Sequence, residues 1–410
     1  MSPQNKSILI LGCFDTKGED FSFLRQCLIN LKQQVITVNT GVMETAVNFP
    51  IDVTASEVAQ NAGYDLNTIR TAADRGNAVE IMGKGAAHTV ARLVKENKIK
   101  AAIGMGGGAG TYIALTGMQE IPFGVPKLCL STAAAKDLSR QVGSKDIVLM
   151  PSIVDVAGLN NISRVLIQQA AAAVCAMASV ENQKENNSAG TIAISMFGNT
   201  SACVDQCSEL LRKEGYEVLA FHANGIGGKT MESLIKDGVF DAVLDVTTTE
   251  LADELCGGIC SAGPGRLDAA AAAGIPQVVV PGCLDMVNFA QRDTVPEKYK
   301  NRDLYSWSPD VTLLRTNEEE NKILGKQFAE KINRSTAPVS VLIPTKGISQ
   351  VDAEGGIFYR PAIDRILFDA IKQQTKNSIP VIEMNAHINE PAFSRELVNT
   401  LLALIAKSKQ

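Results

Sequence analysis

The stretch Ile103-Gly-Met-Gly-Gly-Gly-Ala-Gly-Thr111 decides how this chain is read. An apolar run beginning at Ile99 precedes it and Tyr112-Ile-Ala-Leu115 follows it. That order predicts a strand, a tight glycine loop and a helix. Glycines let backbone come close to a bound group, and the amides at a helix start favour an anion, so phosphate is the first candidate. The loop is not the dinucleotide fingerprint. Counted from Gly104 the fingerprint needs glycine where Ala109 stands, and counted from Gly106 it needs glycine where Thr111 stands.

Working outward, 410 residues are too many for one ordinary core, so two domains are expected. A net charge of -5 and the lack of a basic block disfavour a nucleic-acid surface. No apolar run reaches the roughly 18 residues of a membrane span, and no charged-then-apolar leader opens the chain. The expectation is therefore a cytoplasmic protein with neither membrane nor nucleic acid as partner. Nine cysteines, an odd number scattered through apolar runs, read as reduced and mostly buried thiols.

N-terminal to the loop, Ser7-Ile-Leu-Ile-Leu-Gly12 reads as a buried parallel strand and Val35-Ile-Thr-Val38 as a second. Ligands of open α/β sheets bind beyond the carboxyl ends of such strands, which places Asp15, Lys17 and Thr40 on the ligand edge. Asp15 and Lys17 read equally well as a solvated turn with a helix cap. Asp74 to Asn97 reads as a helix interrupted at Met82-Gly-Lys-Gly85, with Arg75 and Lys84 as secondary ligand candidates. C-terminal to the loop, Gly124 to Leu130 and Ile147 to Met150 are further strands, and Thr132 falls at a ligand-side end. The helix Ile162 to Met177 is nearly all apolar, so burial against the sheet or in an interface is expected. Polar residues from Glu181 to Ser188 read as a linker, giving a first domain 1–180, a linker 181–189 and a second domain 190–410.

The strand–loop–helix pattern restarts at Thr191. His222-Ala-Asn-Gly-Ile-Gly-Gly-Lys-Thr230 fails the P-loop spacing, because Ala223 stands where glycine is needed. It still reads as an anion cradle with Lys229 as a point charge. His222, at a strand end, is an acid–base candidate or a residue that orders the loop. His387 is a second acid–base candidate. Arg266 at a helix start reads as a carboxylate or phosphate clamp, with surface placement the alternative. Cys283 beside Asp285 is a weaker nucleophile candidate. Phe289 to Leu314, long and polar with the single tryptophan Trp307, reads as a lid or an interface arm.

Gly12-Cys-Phe-Asp-Thr-Lys-Gly18, Gly104 to Gly110, His222 to Gly228, Asp245-Val-Thr-Thr-Thr-Glu250 and Ile343-Pro-Thr-Lys-Gly347 together carry a resemblance. The chain resembles, over its full length, the bacterial and fungal family related to the tomato protein of resistance against tomato mosaic virus. The resemblance implies an ATP-binding N-terminal domain, a second domain, and dimers. The plant relative binds the helicase domain of a viral replicase, a partner not inferred for this chain. Carried over, the triphosphate is expected on Gly104, Gly106, Gly107, Gly108, Gly110 and Thr111, with Lys17 and Thr132 as neighbours. Magnesium would accompany it, with Asp15 in an indirect contact.

The sequence thus predicts two Rossmann-like α/β domains, each a mostly parallel sheet flanked by helices, facing each other across a cleft. The first functional reading is an ATP-binding enzyme acting on a small acidic metabolite, with His222, Lys229, Arg266 and Asp285 as catalytic candidates. The second is a nucleotide-regulated binding module without turnover. A metal-dependent hydrolase or lyase is disfavoured by three scattered histidines.

Overall fold

The computed structural model describes residues 6–45, 47–180 and 188–409. The chain divides into two compact units, Met1–Gln183 and Lys184–Gln410. Most of the linker expected at 181–189 lies outside the described residues.

The first unit runs β1 (Ser7–Gly12), α1 (Gly18–Asn30), β2 (Val35–Asn39), α2 (Ala55–Asn61), α3 (Leu66–Ala72), α4 (Arg75–Lys95), β3 (Ile99–Gly106), α5 (Gly108–Met118), β4 (Lys127–Ser131), α6 (Ser139–Val142), β5 (Ile147–Pro151) and α7 (Asn161–Ala178). Its five strands lie in the order β2-β1-β3-β4-β5, all parallel. β1 is covered on both faces, which is why it reads as an unbroken apolar run. Leu9 and Leu11 pack with Met82, Ile113 and Leu115 on one side. Ile8 and Ile10 pack with Phe21 and Leu24 of α1 and Ile167 and Val174 of α7 on the other.

One expectation is corrected here and another is met on one face only. α4 runs without interruption through Gly83 and Gly85. A Cβ at Gly85 would fall 2.0 Å from the Val58 carbonyl oxygen, and one at Gly83 3.0 Å from the Tyr112 ring. These glycines allow α2 and α5 to approach, so the cost of glycine in a helix is offset by packing. α7 buries only one face, since Ile162 and Val165 are 47% and 50% exposed.

The second unit runs β6 (Thr191–Met196), α8 (Ser201–Lys213), β7 (Glu217–His222), α9 (Ile226–Lys236), β8 (Ala242–Thr247), α10 (Glu250–Cys256), α11 (Ala269–Ala273), β9 (Gln277–Gly282), β10 (Met286–Phe289), β11 (Leu304–Ser308), β12 (Val311–Arg315), α12 (Glu318–Ile332), β13 (Val339–Pro344), α13 (Pro361–Gln374), β14 (Val381–Met384) and α14 (Pro391–Ser408). Its main sheet has the order β14-β13-β9-β8-β6-β7, again parallel throughout. The segment expected as a lid or arm instead contributes to a three-stranded antiparallel sheet, β10-β12-β11. Alternation in Leu304-Tyr-Ser-Trp-Ser308 escaped the sequence reading because the strands are short and half exposed.

Both sheets are wound alike. In each, the first strand has the second on one side and the third on the other. The point where the winding direction reverses opens a crevice at the carboxyl ends of the strands. That crevice lies between β1 and β3 in the first unit and between β6 and β8 in the second.

Candidate functional site

In the first unit the crevice is open. A recess of about 670 Å³ is lined by the loops after β1, β3, β4 and β5, including Lys17, residues 106–110, Thr132 and Asp155, together with Arg75 from the start of α4. This volume lies within the roughly 300–1,000 Å³ of small-molecule sites. α5 begins at the recess, and its capping residue Gly107 supplies no side-chain acceptor. The amides of Gly108, Ala109 and Gly110 therefore stand without an intramolecular partner among the described residues. Unpaired amides and the positive end of a helix dipole favour an anion. Lys17 and Arg75 add positive charge, and neither has an ion-pair partner among the described residues.

The glycines divide into two kinds. A Cβ at Gly104 would sit 2.7 Å from the Ala114 Cβ, and one at Gly106 3.0 Å from the Gly110 Cα. Those two are required by the seating of α5 on β3 and by the turn itself. A Cβ at Gly108 would meet nothing within 4 Å, and one at Gly107 only the Thr132 hydroxyl oxygen at 3.7 Å. Neither residue has a positive φ. Among the described residues nothing crowds a side chain at 107 or 108, and both border the recess.

Of the expected nucleotide contacts, Lys17, Gly106, Gly107, Gly108, Gly110 and Thr132 line the recess. Gly104 and Thr111 do not, which corrects their assignment as contacts. Thr111 is 1% exposed, and its hydroxyl pairs with that of Ser131 at 2.5 Å, tying α5 to β4. Asp15 is also displaced from the expected position. Its carboxylate accepts from the Thr16 amide at 2.7 Å and the Met43 amide at 2.9 Å, bracing an adjoining recess. Asp155, which the sequence did not single out, is the exposed carboxylate lining the anion recess. Among the described residues no group of three or more His, Cys, Asp or Glu is placed to hold a metal ion.

In the second unit the equivalent crevice is laced shut. Ser195 donates to Asp245 at 2.7 Å and accepts from the Thr247 amide at 2.8 Å, and the Thr200 and Thr247 hydroxyls pair at 2.7 Å. The anion cradle expected at the start of α9 is already filled from within. Glu250 accepts from the Gly225 amide at 2.8 Å and the Gly228 amide at 3.1 Å. Arg266 holds that carboxylate through Nε at 2.5 Å. Its remaining donors reach both oxygens of Asp245 at 2.6 Å, Glu232 at 3.2 Å and the Thr247 carbonyl at 3.1 Å. All five N–H donors of the guanidinium are engaged, and the residue is 0% exposed. Burial opposes its charge, but Asp245, Glu250 and Glu232 outweigh that and hold its pKa well above the ordinary arginine value. Arg266 is a structural keystone, not the ligand clamp expected.

Asp285 is likewise sealed at 0% exposure, accepting from the Ser349 hydroxyl at 2.7 Å. Burial pushes its pKa up to about 6 against the pull of Arg315. Asp352 in the same cluster is pushed to about 9, first by burial and then by Asp285 and Asp364. Cys283 is fully buried, and burial with two acidic neighbours drives its thiol far from ionisation. That removes the activated-nucleophile reading. His387 donates through Nε2 to the Ser349 carbonyl at 2.9 Å and accepts at Nδ1 from the Asn389 amide at 3.1 Å. Both ring nitrogens are thus committed to the loop. His222 and Lys229 are exposed, the histidine ring lying 5.2 Å from that of Phe197. The four catalytic candidates therefore occupy separate surroundings: two in sealed ionic clusters, two on an exposed loop.

The fold and this recess define a two-domain α/β protein with an open anion-favouring site in its first unit. Residues 6–183 match the model described as Uncharacterised protein family (UPF0261) N-terminal domain, and residues 189–405 match the C-terminal domain of the same family. The chain belongs to that family. It is 42% identical to a UPF0261 protein of Clostridium tetani over 98% of this chain and all of that one. A UPF0261 protein of Rhizobium meliloti is 38% identical over 96% of this chain and 98% of its own length. The ToMV resistance protein Tm-1(GCR237) of Solanum lycopersicum is 35% identical over 98% of this chain, which spans 56% of that protein. No helix among the described residues is long and apolar enough to cross a membrane.

Proposed function

We propose that the first unit binds ATP, with its phosphates on the loop 106–110. The observation that carries this reading is the pair Gly107 and Gly108, which border the recess and which no packing contact among the described residues requires to be glycine. Bare amides at the start of α5, and Lys17 and Arg75, which form no ion pair among the described residues, support an anion of high charge. The family resemblance supplies ATP as that anion. Magnesium would arrive on the triphosphate, held mainly by phosphate oxygens and water. Asp155, the exposed carboxylate that lines the recess, would serve a water-mediated contact, with Asp15 in the adjoining wall.

Beyond ATP binding, two uses are proposed. A metabolite-transforming enzyme would draw on the exposed His222 and Lys229. A nucleotide-regulated module without turnover is favoured by the sealing of Arg266 and Asp285, which removes two of the four groups a reaction was expected to use. A homodimer, expected from the resemblance, has the exposed Ile162 and Val165 of α7 as apolar surface to bury.

The test is calorimetric titration of nucleotide-free protein with ATP and magnesium, beside Lys17→Ala and Arg75→Ala. Each variant is expected to weaken binding about tenfold, the loss of one charge-assisted contact. A folded wild type that takes up no ATP at millimolar concentration would overturn the assignment. Release of phosphate or ADP with a panel of acidic metabolites separates the enzyme from the regulatory module.

A further inference from the structure

A second recess of about 470 Å³ adjoins the anion site. The two share Cys13, Thr16, Arg75 and Ala109 as common wall. Their linings differ in chemistry. The first is bordered by glycine amides, Lys17, hydroxyls and Asp155, with Pro151, Ile153 and Val154 along its β5 side. The second is walled chiefly by Val42, Met43, Ile69, Val79, Met82 and Ile113. It lies between the loop after β2 and the helices α3 and α4. Its polar residues are largely committed elsewhere. Asp15 takes the Thr16 and Met43 amides, Arg70 donates to the Val42 and Met43 carbonyls, and Asp74 caps α4 through the Asn77 amide. What remains for an occupant is an apolar slot with a cation at its mouth.

We infer that this slot receives the nucleobase of the nucleotide whose phosphates sit on the loop 106–110. The inference rests on the nucleotide reading and deepens it. A free inorganic anion has no use for apolar walls, and a purely apolar ligand has none for the amides of α5. A ligand charged at one end and flat and apolar at the other uses both recesses at once. Arg75 lines both, so it lies where the ribose and the first phosphate pass from one to the other. The second recess makes the site selective for nucleotides over inorganic polyphosphate and over sugar phosphates, which share the anion but lack the ring.

The experiment compares ATP with inorganic tripolyphosphate by calorimetry on wild type, Val79→Trp and Gly108→Val. Val79 is half buried and faces the slot from α4, so tryptophan fills it while valine's neighbours keep their places. Wild type is expected to bind ATP at least tenfold more tightly than tripolyphosphate, the return on burying one apolar ring. Val79→Trp is expected to bring ATP down to the tripolyphosphate level and to leave tripolyphosphate unchanged. Gly108→Val is expected to weaken both. Wild type that binds the two ligands equally, or Val79→Trp that binds ATP like wild type, overturns the base slot and leaves the anion site standing. Wild type that binds neither overturns the nucleotide reading and the slot with it. Independently of any variant, 8-azido-ATP irradiated on the wild type is expected to label peptides containing Val42–Met43 or Ala78–Met82. Labelling confined to other peptides refutes the placement even if Val79→Trp fails to fold.

Discussion

Substitutions along one glycine loop should separate folding from binding. At Gly104 a Cβ would press on Ala114 at 2.7 Å, inside the seam between β3 and α5. Overpacking of that kind costs about 1–3 kcal/mol, so Gly104→Ala should lower the melting temperature by several degrees. At Gly108 the added atom meets open space. Gly108→Ala should raise the stability of the ligand-free protein by up to about 1 kcal/mol, because alanine loses less backbone freedom in a helix. Gly108→Val puts branched carbon where the phosphate is to sit. Losing two charge-assisted amide bonds at about 1.5–3 kcal/mol each weakens ATP by about a hundredfold or more. Differential scanning fluorimetry without ligand and calorimetric titration with ATP read the two effects separately. A Gly108→Val protein that binds ATP as wild type does, or that melts as early as Gly104→Ala, would refute the division of the glycines into packing and ligand positions.

Arg266→Met should destabilise by about 3–5 kcal/mol in urea titration, since it strands Glu232, Asp245 and Glu250 in the interior. Arg266→Lys should rescue little, because one ammonium cannot replace a five-donor fork; near-wild-type stability of either would contradict the keystone role. The Arg315 cluster predicts pH dependence. Asp352 and Asp285 are raised on folding to about 9 and about 6, so the folded state holds more protons than the unfolded state above the ordinary carboxylate pKa. Their stabilising contribution is complete below about pH 4 and is lost as pH rises, through about 6 for Asp285 and about 9 for Asp352. Urea midpoints should fall over that range, and Asp352→Asn should flatten the fall between pH 7 and 9; an unchanged slope would remove Asp352 from the cause. Of the nine thiols, Cys13 is half buried and lines both recesses, while Cys283 is sealed. N-ethylmaleimide in native buffer should modify Cys13, slowly because burial raises its thiol as well, and spare the sealed Cys283; saturating ATP should slow the Cys13 reaction about tenfold, as mass spectrometry of timed digests would show.

What the sequence reveals and hides follows from the range of the forces involved. Strands such as Ser7–Gly12 are legible because burial on both faces leaves an unbroken apolar run. The loop 104–110 is legible because strand, glycines and helix adjoin in sequence, so one local pattern carries both the turn and the helix start. Gly83 and Gly85 mislead for the opposite reason. Their explanation is the Val58 carbonyl and the Tyr112 ring, more than 20 residues away, and no local rule brings those atoms near. The short strands of the 286–315 sheet are hidden because runs of four or five give little alternation to count: Met286–Phe289 and Val311–Arg315 are buried almost throughout, and Leu304–Ser308 is half exposed.

The ionic clusters show the same limit in the chemistry. Arg266 beside a glycine-rich turn has the residue type and position of a ligand clamp. Its partners Glu232, Asp245 and Glu250 come from α9, β8 and α10, and only folding shows that they use every donor it has. A charged residue is available to a ligand only in proportion to the charge its own chain leaves uncompensated. Among the described residues Lys17 and Arg75 form no ion pair, whereas Arg266 and Arg315 do, although nothing in the local sequence around them makes the distinction. The same reasoning applies to backbone. The amides of Gly225 and Gly228 and those of Gly108 to Gly110 are equivalent as sequence signals, but Glu250 already occupies the first set. Of the two glycine loops at helix starts, the one in the first unit is therefore the one whose amides keep no partner among the described residues.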